Sequence, residues 1–142
     1  MAKKLSKKDK MEAWNAYSKY IRVRDCLKTT GLPFVGVCIT CERKFHINQL
    51  EAGHCFSGRT NVKLFNDKFT NAQCRYCNQV MHGNPKKYRK IMEAKYGKEY
   101  VARQEARFKR KIIQDKDVNF IERKKRYERK KERLIKNVSI KG

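Results

Sequence analysis

Two Cys-x-x-Cys pairs, Cys38-Ile-Thr-Cys41 and Cys74-Arg-Tyr-Cys77, stand 32 residues apart in a chain of 142. A two-residue gap lets both thiolates of a pair turn toward one ion, and the second pair supplies the other corners of a tetrahedron. The chain is therefore expected to fold back so that residue 38 meets residue 74. Zinc held by four thiolates has no open position, so the ion is structural and not the centre of a reaction. Such a staple suits this composition: 36% of the residues are charged, and a core short of apolar side chains often needs one. His46 follows the first pair and is the alternative ligand, but the symmetrical four-cysteine set is preferred. Cys26 and Cys55 fall outside the pairs and read as free, partly buried thiols. With no export signal ahead of them, the six cysteines fit a reducing, cytoplasmic compartment and a metal better than disulfides.

Net charge is +23, from 37 Lys and Arg against 14 Asp and Glu. This excess favours polyanions as partners. The N-terminal Met-Ala-Lys-Lys-Leu-Ser-Lys-Lys has no apolar segment behind it, and no run approaches the ~18 apolar residues of a spanning helix. No membrane partner is expected, and nucleic acid is preferred over an acidic protein.

The fold class expected is α+β: a small zinc-stabilised core with an N-terminal helix and a long basic C-terminal helical extension. Residues 1–8 read as a disordered basic terminus, 9–97 as the zinc-containing domain and 98–142 as the extension. From Asp9 to Leu27, Met11, Trp14, Tyr17 or Ser18, and Ile21 recur at helical steps, and Gly31 and Pro33 end the helix. Phe34–Val37 reads as extended, Phe45–Ala52 as the strands of a hairpin and residues 55–68 as loop. One helix starts near the second cysteine pair and stops by Gly83; another runs from Pro85 to Tyr96 and is closed by Gly97. Beyond it 17 basic residues outnumber 7 acidic ones. Val101, Phe108, Phe120 and Tyr127 are too sparse there for a second core, so the segment reads as a helical arm that lies on phosphates.

Between the cysteine pairs stands Glu51-Ala52-Gly53-His54; directly after the last ligand stands Asn78, and four residues later His82. A zinc knuckle, a hairpin bearing a His and a helix with Asn right after its Cys-x-x-Cys match the HNH (ββα-metal) nuclease plan. The chain resembles the NinG/Rap family of lambdoid-phage recombination proteins, structure-specific endonucleases acting on branched DNA. The matching stretches are Tyr20-Ile21-Arg22-Val23-Arg24-Asp25, the Cys38-x-x-Cys41 knuckle, Ala52-Gly53-His54, Gln73-Cys74-x-x-Cys77-Asn78, and Gly83-Asn84 with Tyr88 and Tyr96-Gly97. They cover residues 17–97 in the same order.

The resemblance implies phosphodiester hydrolysis of Holliday-junction or fork-like DNA with Mg²⁺ or Mn²⁺, in the cytoplasm of a host cell. His54 matches the general base, and Asn78 the helix position that ligates or orients the metal. Many HNH enzymes have Asp just before the base, where this chain has Gly53. Glu51 projects from the same strand face as Gly53 and is the proposed substitute carboxylate. His82, one helical turn beyond Asn78, is a further metal-site candidate. The usual place of the middle Asn is Phe69, leaving Asn71, ahead of Asn66, to orient the base. Arg59, Lys63, Arg75, Lys86, Lys87 and Arg89 are candidate phosphate contacts, while Tyr76 and Tyr88 read as packing. Symmetrical cleavage of a four-way junction needs two active sites, hence a possible homodimer. The alternative is a zinc-knuckle nucleic-acid-binding protein without catalysis, in which His54 and Asn78 are structural.

Overall fold

The computed structural model describes residues 2–56, 64–110 and 115–141. No helix breaker lies between Ala2 and Thr30, and these residues form one helix, α1, about 44 Å long at 1.5 Å per residue. It begins at Ala2 and not near Asp9: the stretch expected to be disordered is rich in good helix formers and continues the helix. Its buried face is Ala13, Ala16, Tyr17, Tyr20 and Ile21, whereas Met11, expected on that face, is 66% exposed. Gly31 ends it with φ +78°, its N–H donating to the Leu27 carbonyl at 2.9 Å.

Strands β1 (Val35–Val37) and β2 (Lys44–His46) pair antiparallel, with the first cysteine pair in their connection. A 3₁₀ turn, Ile47–Gln49, then leads into β3 (Leu50–His54), which pairs antiparallel with β4 (Thr70–Cys74). Residues 45–52, expected as one hairpin, are thus divided between two sheets. A capping box turns the chain there: His46 Nδ1 accepts the Asn48 N–H at 3.2 Å, and Gln49 Oε1 accepts the His46 N–H at 3.3 Å. The second edge of β4 is covered by α1. Asp25 accepts the Ala72 N–H at 2.7 Å, and Arg24 donates to the carbonyls of Asp67 and Thr70 at 2.8 Å each. Backbone groups that another strand would satisfy are taken up by these two side chains and by the Ile39 N–H, which donates to the Ala72 carbonyl at 2.9 Å.

After β4 comes a π-helical turn, Tyr76–Val80, then α2 (Pro85–Tyr96), whose bounds coincide with those read from Pro85 and Gly97. Helix α3 is Lys98–Arg110 and α4 is Phe120–Lys141. These last two helices are not a free arm. Val101 and Phe108 of α3 are buried with Cys55, Phe56, Phe69, Tyr88 and Met92, and Arg89 on α2 reaches Glu105 on α3 at 3.0 Å. Phe120 and Tyr127 of α4 are buried with Ala13, Tyr17, Tyr20 and Phe65. The Tyr127 ring meets Tyr17 edge-on at 4.6 Å and stacks on Phe65 at 6.1 Å. The apolar residues are sparse along the sequence, yet each α4 anchor is a large aromatic set into a groove that α1 supplies.

Tyr127→Ala is therefore expected to cost about 3–5 kcal/mol of stability, the range for emptying a buried aromatic site. Urea unfolding measures it; a loss below about 1 kcal/mol would mean that α4 is not docked.

Candidate functional site

The Sγ atoms of Cys38, Cys41, Cys74 and Cys77 all lie within 4.8 Å of one another, with Cys41 and Cys74 at 3.8 Å. Zinc–thiolate bonds of about 2.3 Å give tetrahedral edges of about 3.8 Å, so the four can hold a structural metal such as zinc. Each pair folds as a knuckle: the Cys41 N–H points at Cys38 Sγ at 3.5 Å, and the Cys77 N–H at Cys74 Sγ at 3.4 Å. Burial raises the Cys38 thiol, but the Cys41 N–H and the Thr40 hydroxyl outweigh it and bring the group down to about 6. Burial pushes Cys74 up to about 12. His46 is exposed and caps its 3₁₀ turn, outside the cluster. Cys26 and Cys55 are fully buried, and burial pushes their thiols up to about 11 and about 12, which makes them unreactive.

Binding one ion would tie the β1–β2 connection to the end of β4 and the π-helical turn. Beside this frame a cleft of about 990 Å³ opens between α1 and β3. Glu51, His54 and Asn78 all line it. Glu51 lies opposite Gln73 and His54 opposite Thr70, so the two leave alternate faces of β3. They reach one cleft because β3 is an edge strand. Glu51 Oε1 accepts from Asn78 Nδ2 at 2.9 Å and Oε2 from Gln79 Nε2 at 2.6 Å, with Arg75 Nε at 3.6 Å. The His54 ring stacks on Trp14 at 5.2 Å and 25°, and its Nε2 lies 3.3 Å from the Leu64 carbonyl oxygen.

The glycine before His54 has a steric cause: a Cβ on Gly53 would overlap the Gln73 amide. Gln73 is fully buried and donates to the Gly83 carbonyl at 2.9 Å and to Thr40 Oγ1 at 3.1 Å, linking the first knuckle to the turn before α2. A carboxylate at position 53 is therefore incompatible with this packing.

Other expected site residues lie elsewhere. Asn71 projects from the sheet face opposite His54; its Nδ2 donates to Tyr88 Oη at 3.0 Å, and its Oδ1 accepts from Arg24 at 3.4 Å. It braces α1 and α2 against β4, on the face away from His54. Asn66 accepts the Phe69 N–H at 3.1 Å within its own turn, and Phe69 is core. His82 lies beyond the π-helical turn, at φ +51°, so the helical continuation that would align it with Asn78 is missing, and it does not line the cleft. Tyr88 is buried packing as expected, but Tyr76 is 61% exposed.

Of the expected phosphate contacts, Arg75 lines the cleft. Lys86 and Lys87 are exposed on the first turn of α2, away from it. Arg89 is engaged by Glu93 and Glu105, and Arg59 and Lys63 lie outside the described residues. The cleft-lining cations that sequence reasoning missed are Lys7, Lys10 and Arg22, together with Trp14. Their signal was a three-and-four spacing on α1 beside the core face, obscured by reading Met11 and Trp14 as core.

No helix among the described residues is long and apolar enough to cross a membrane. No curated protein and no solved structure matches the chain. A family model described as Bacteriophage Lambda NinG protein matches residues 1–137. With nearly its whole length matched, the chain belongs to the NinG family.

Proposed function

We propose that this protein is a metal-dependent, HNH-type endonuclease that hydrolyses phosphodiester bonds in branched recombination intermediates, Holliday junctions or forks. The observation that carries this reading is the convergence of Glu51, His54 and Asn78 on one cleft whose other walls are rich in cations. Membership of the NinG family supports recombination DNA as the substrate class.

His54 is the general base. A proton on Nε2, donated to the Leu64 carbonyl, leaves Nδ1 as the basic nitrogen, and the Trp14 face holds the ring in place. Glu51 and Asn78 would hold Mg²⁺ or Mn²⁺. The 2.9 Å contact is made by the Asn78 amide nitrogen, so the amide would turn its oxygen to the ion; a carboxylate and an amide oxygen then suit a hard cation that keeps several waters. When bound, the cation supplies charge stabilisation at the phosphate and the leaving 3′ oxygen. Cutting both strands of a four-way junction needs two such clefts, so a homodimer on DNA forms part of the reading.

One observation favours a second reading. Glu51 is already engaged by Asn78, Gln79 and Arg75, as a strut between β3 and the π-helical turn would be. In that case the protein binds nucleic acid without cutting it.

Incubation with labelled four-way junction, fork and linear duplex, in Mg²⁺, Mn²⁺ or EDTA, separates the two. The proposal expects cleavage with Mg²⁺ or Mn²⁺ and none in EDTA; binding without cleavage under every metal leaves the non-catalytic reading. Glu51→Gln is expected to raise the Mg²⁺ concentration needed for half-maximal cleavage about tenfold, the effect of losing one charged ligand. Superimposable metal titrations of variant and parent would remove Glu51 from the site.

A further inference from the structure

One face of α1 forms a wall of the cleft: Lys7, Lys10, Trp14, Ser18 and Arg22 follow at steps of three or four residues, and all line it. At 1.5 Å per residue the wall runs about 22 Å from Lys7 to Arg22. Arg75 faces the same space, and Glu51 is the one acid among the described lining residues. Arg22 is half-buried. Its Nε donates to the Ser18 carbonyl at 3.3 Å, and its terminal guanidinium nitrogens have no hydrogen-bond partner among the described residues. Glu51 is near enough to act on this half-buried guanidinium, but no carboxylate among the described residues pairs with its fork at ion-pair distance, an unusual arrangement for packing alone. It suits a planar, bidentate anion such as phosphate.

We infer that this face of α1 is the surface that grips the DNA phosphate backbone, with Arg22 as its innermost phosphate contact beside Glu51 and Lys10 and Lys7 following the strand outward. The inference rests on the nucleic-acid part of the function proposed above and does not depend on cleavage. The surface is a cleft in which Lys10 and Arg22 are half-buried and Lys7 and Arg75 exposed, which fits a rod-like backbone and not a flat bilayer. It also gives the Tyr20–Asp25 stretch two roles: Arg24 and Asp25 close the edge of β4, while Arg22, two residues earlier, faces the cleft.

The test measures binding of uncut junction and duplex DNA in Ca²⁺, without Mg²⁺ or Mn²⁺, across a salt series. Each phosphate contact contributes about 0.9 to the slope of log affinity against log salt. The variant Lys7→Gln/Lys10→Gln/Arg22→Gln is expected to lower that slope by about 2–3 and affinity by roughly 10–100-fold at 0.1 M salt. Arg22→Lys alone should keep the slope within about 0.5, because the charge remains. A matched control, Lys125→Gln/Arg133→Gln/Lys136→Gln, removes equal charge from exposed positions of α4; zinc content and circular dichroism check that each variant folds. An unchanged slope in the α1 variant, or an equal loss in the α4 control, would overturn the inference. So would displacement of DNA from the parent by poly-glutamate as effectively as by unlabelled DNA, which would assign the face to acidic protein. Failure of the parent to cleave in Mg²⁺ or Mn²⁺ would sink the nuclease reading and leave this result standing.

Discussion

Cys77→Ser is expected to abolish stoichiometric zinc and lower the melting temperature by more than about 10 °C, at roughly 2–4 °C per kcal/mol for a chain of this size. The reason lies in what the metal would hold. Strands β1 and β2 are three residues each in a two-stranded sheet, which has little stability alone. The π-helical turn is five residues long. The two aromatic clusters, α1 with α4 and α2 with α3, are built from other residues. The metal-free protein should therefore keep much of its helical signal while residues 35–46 and 74–80 lose hydrogen-exchange protection. Structural zinc is worth on the order of 10 kcal/mol in small domains, so the effect exceeds that of any single side chain. The pH dependence has a definite sign. Without metal, burial holds Cys74 as a thiol, with its pKa at about 12, so metal uptake at neutral pH must displace a proton and affinity falls as pH falls. Plasma-emission analysis of the metal, with calorimetry in buffers of different ionisation enthalpy, checks both. A variant that keeps full zinc and its melting temperature would refute the four-cysteine site.

His54→Ala is expected to slow cleavage by about 10²–10⁴-fold, the range for removing a general base, with DNA affinity changed by less than about threefold. The two effects separate because His54 stands on β3, stacked on Trp14, while the charges proposed to hold DNA belong to α1 and Arg75. Single-turnover cleavage with the activating metal, alongside binding in Ca²⁺, gives both numbers. His54→Gln keeps a polar side chain beside Trp14 and Leu64 without the basic nitrogen, and it should be nearly as slow. Loss of less than tenfold in both variants would take His54 out of the chemistry. Equal loss of binding and cleavage would instead mark it as a support for the wall.

Local devices were legible in the sequence. The knuckle spacing identified four cysteines that the fold brings together, and Pro85 and Gly97 bounded α2, because metal-ligand spacing, a fixed φ and a left-handed cap act within a few residues. The same local reasoning failed where a backbone choice depended on distant packing. Residues 45–52 were read as one hairpin because their alternation fits a strand, but the capping box at His46 and Gln49 divides them, and each half finds a different partner. His82 was aligned with Asn78 on the assumption of regular helix, which the π-helical turn and the left-handed residue after it do not continue.

What the sequence by itself determined is the four-cysteine frame, whose type and spacing suit one structural metal. What only the tertiary structure decided is what that frame positions. Glu51 and Asn78 are 27 residues apart and come from an edge strand and a π-helical turn; Arg22 joins them from a helix that precedes both knuckles. Gly53 looked like a missing carboxylate until the buried Gln73 amide showed that no side chain fits there. The basic extension read as an arm lying on phosphates, whereas Tyr127 is set between Tyr17 and Phe65. The physical reason is the same throughout: ligand spacing and caps act over a few residues, whereas burial and charge proximity depend on which distant surfaces meet.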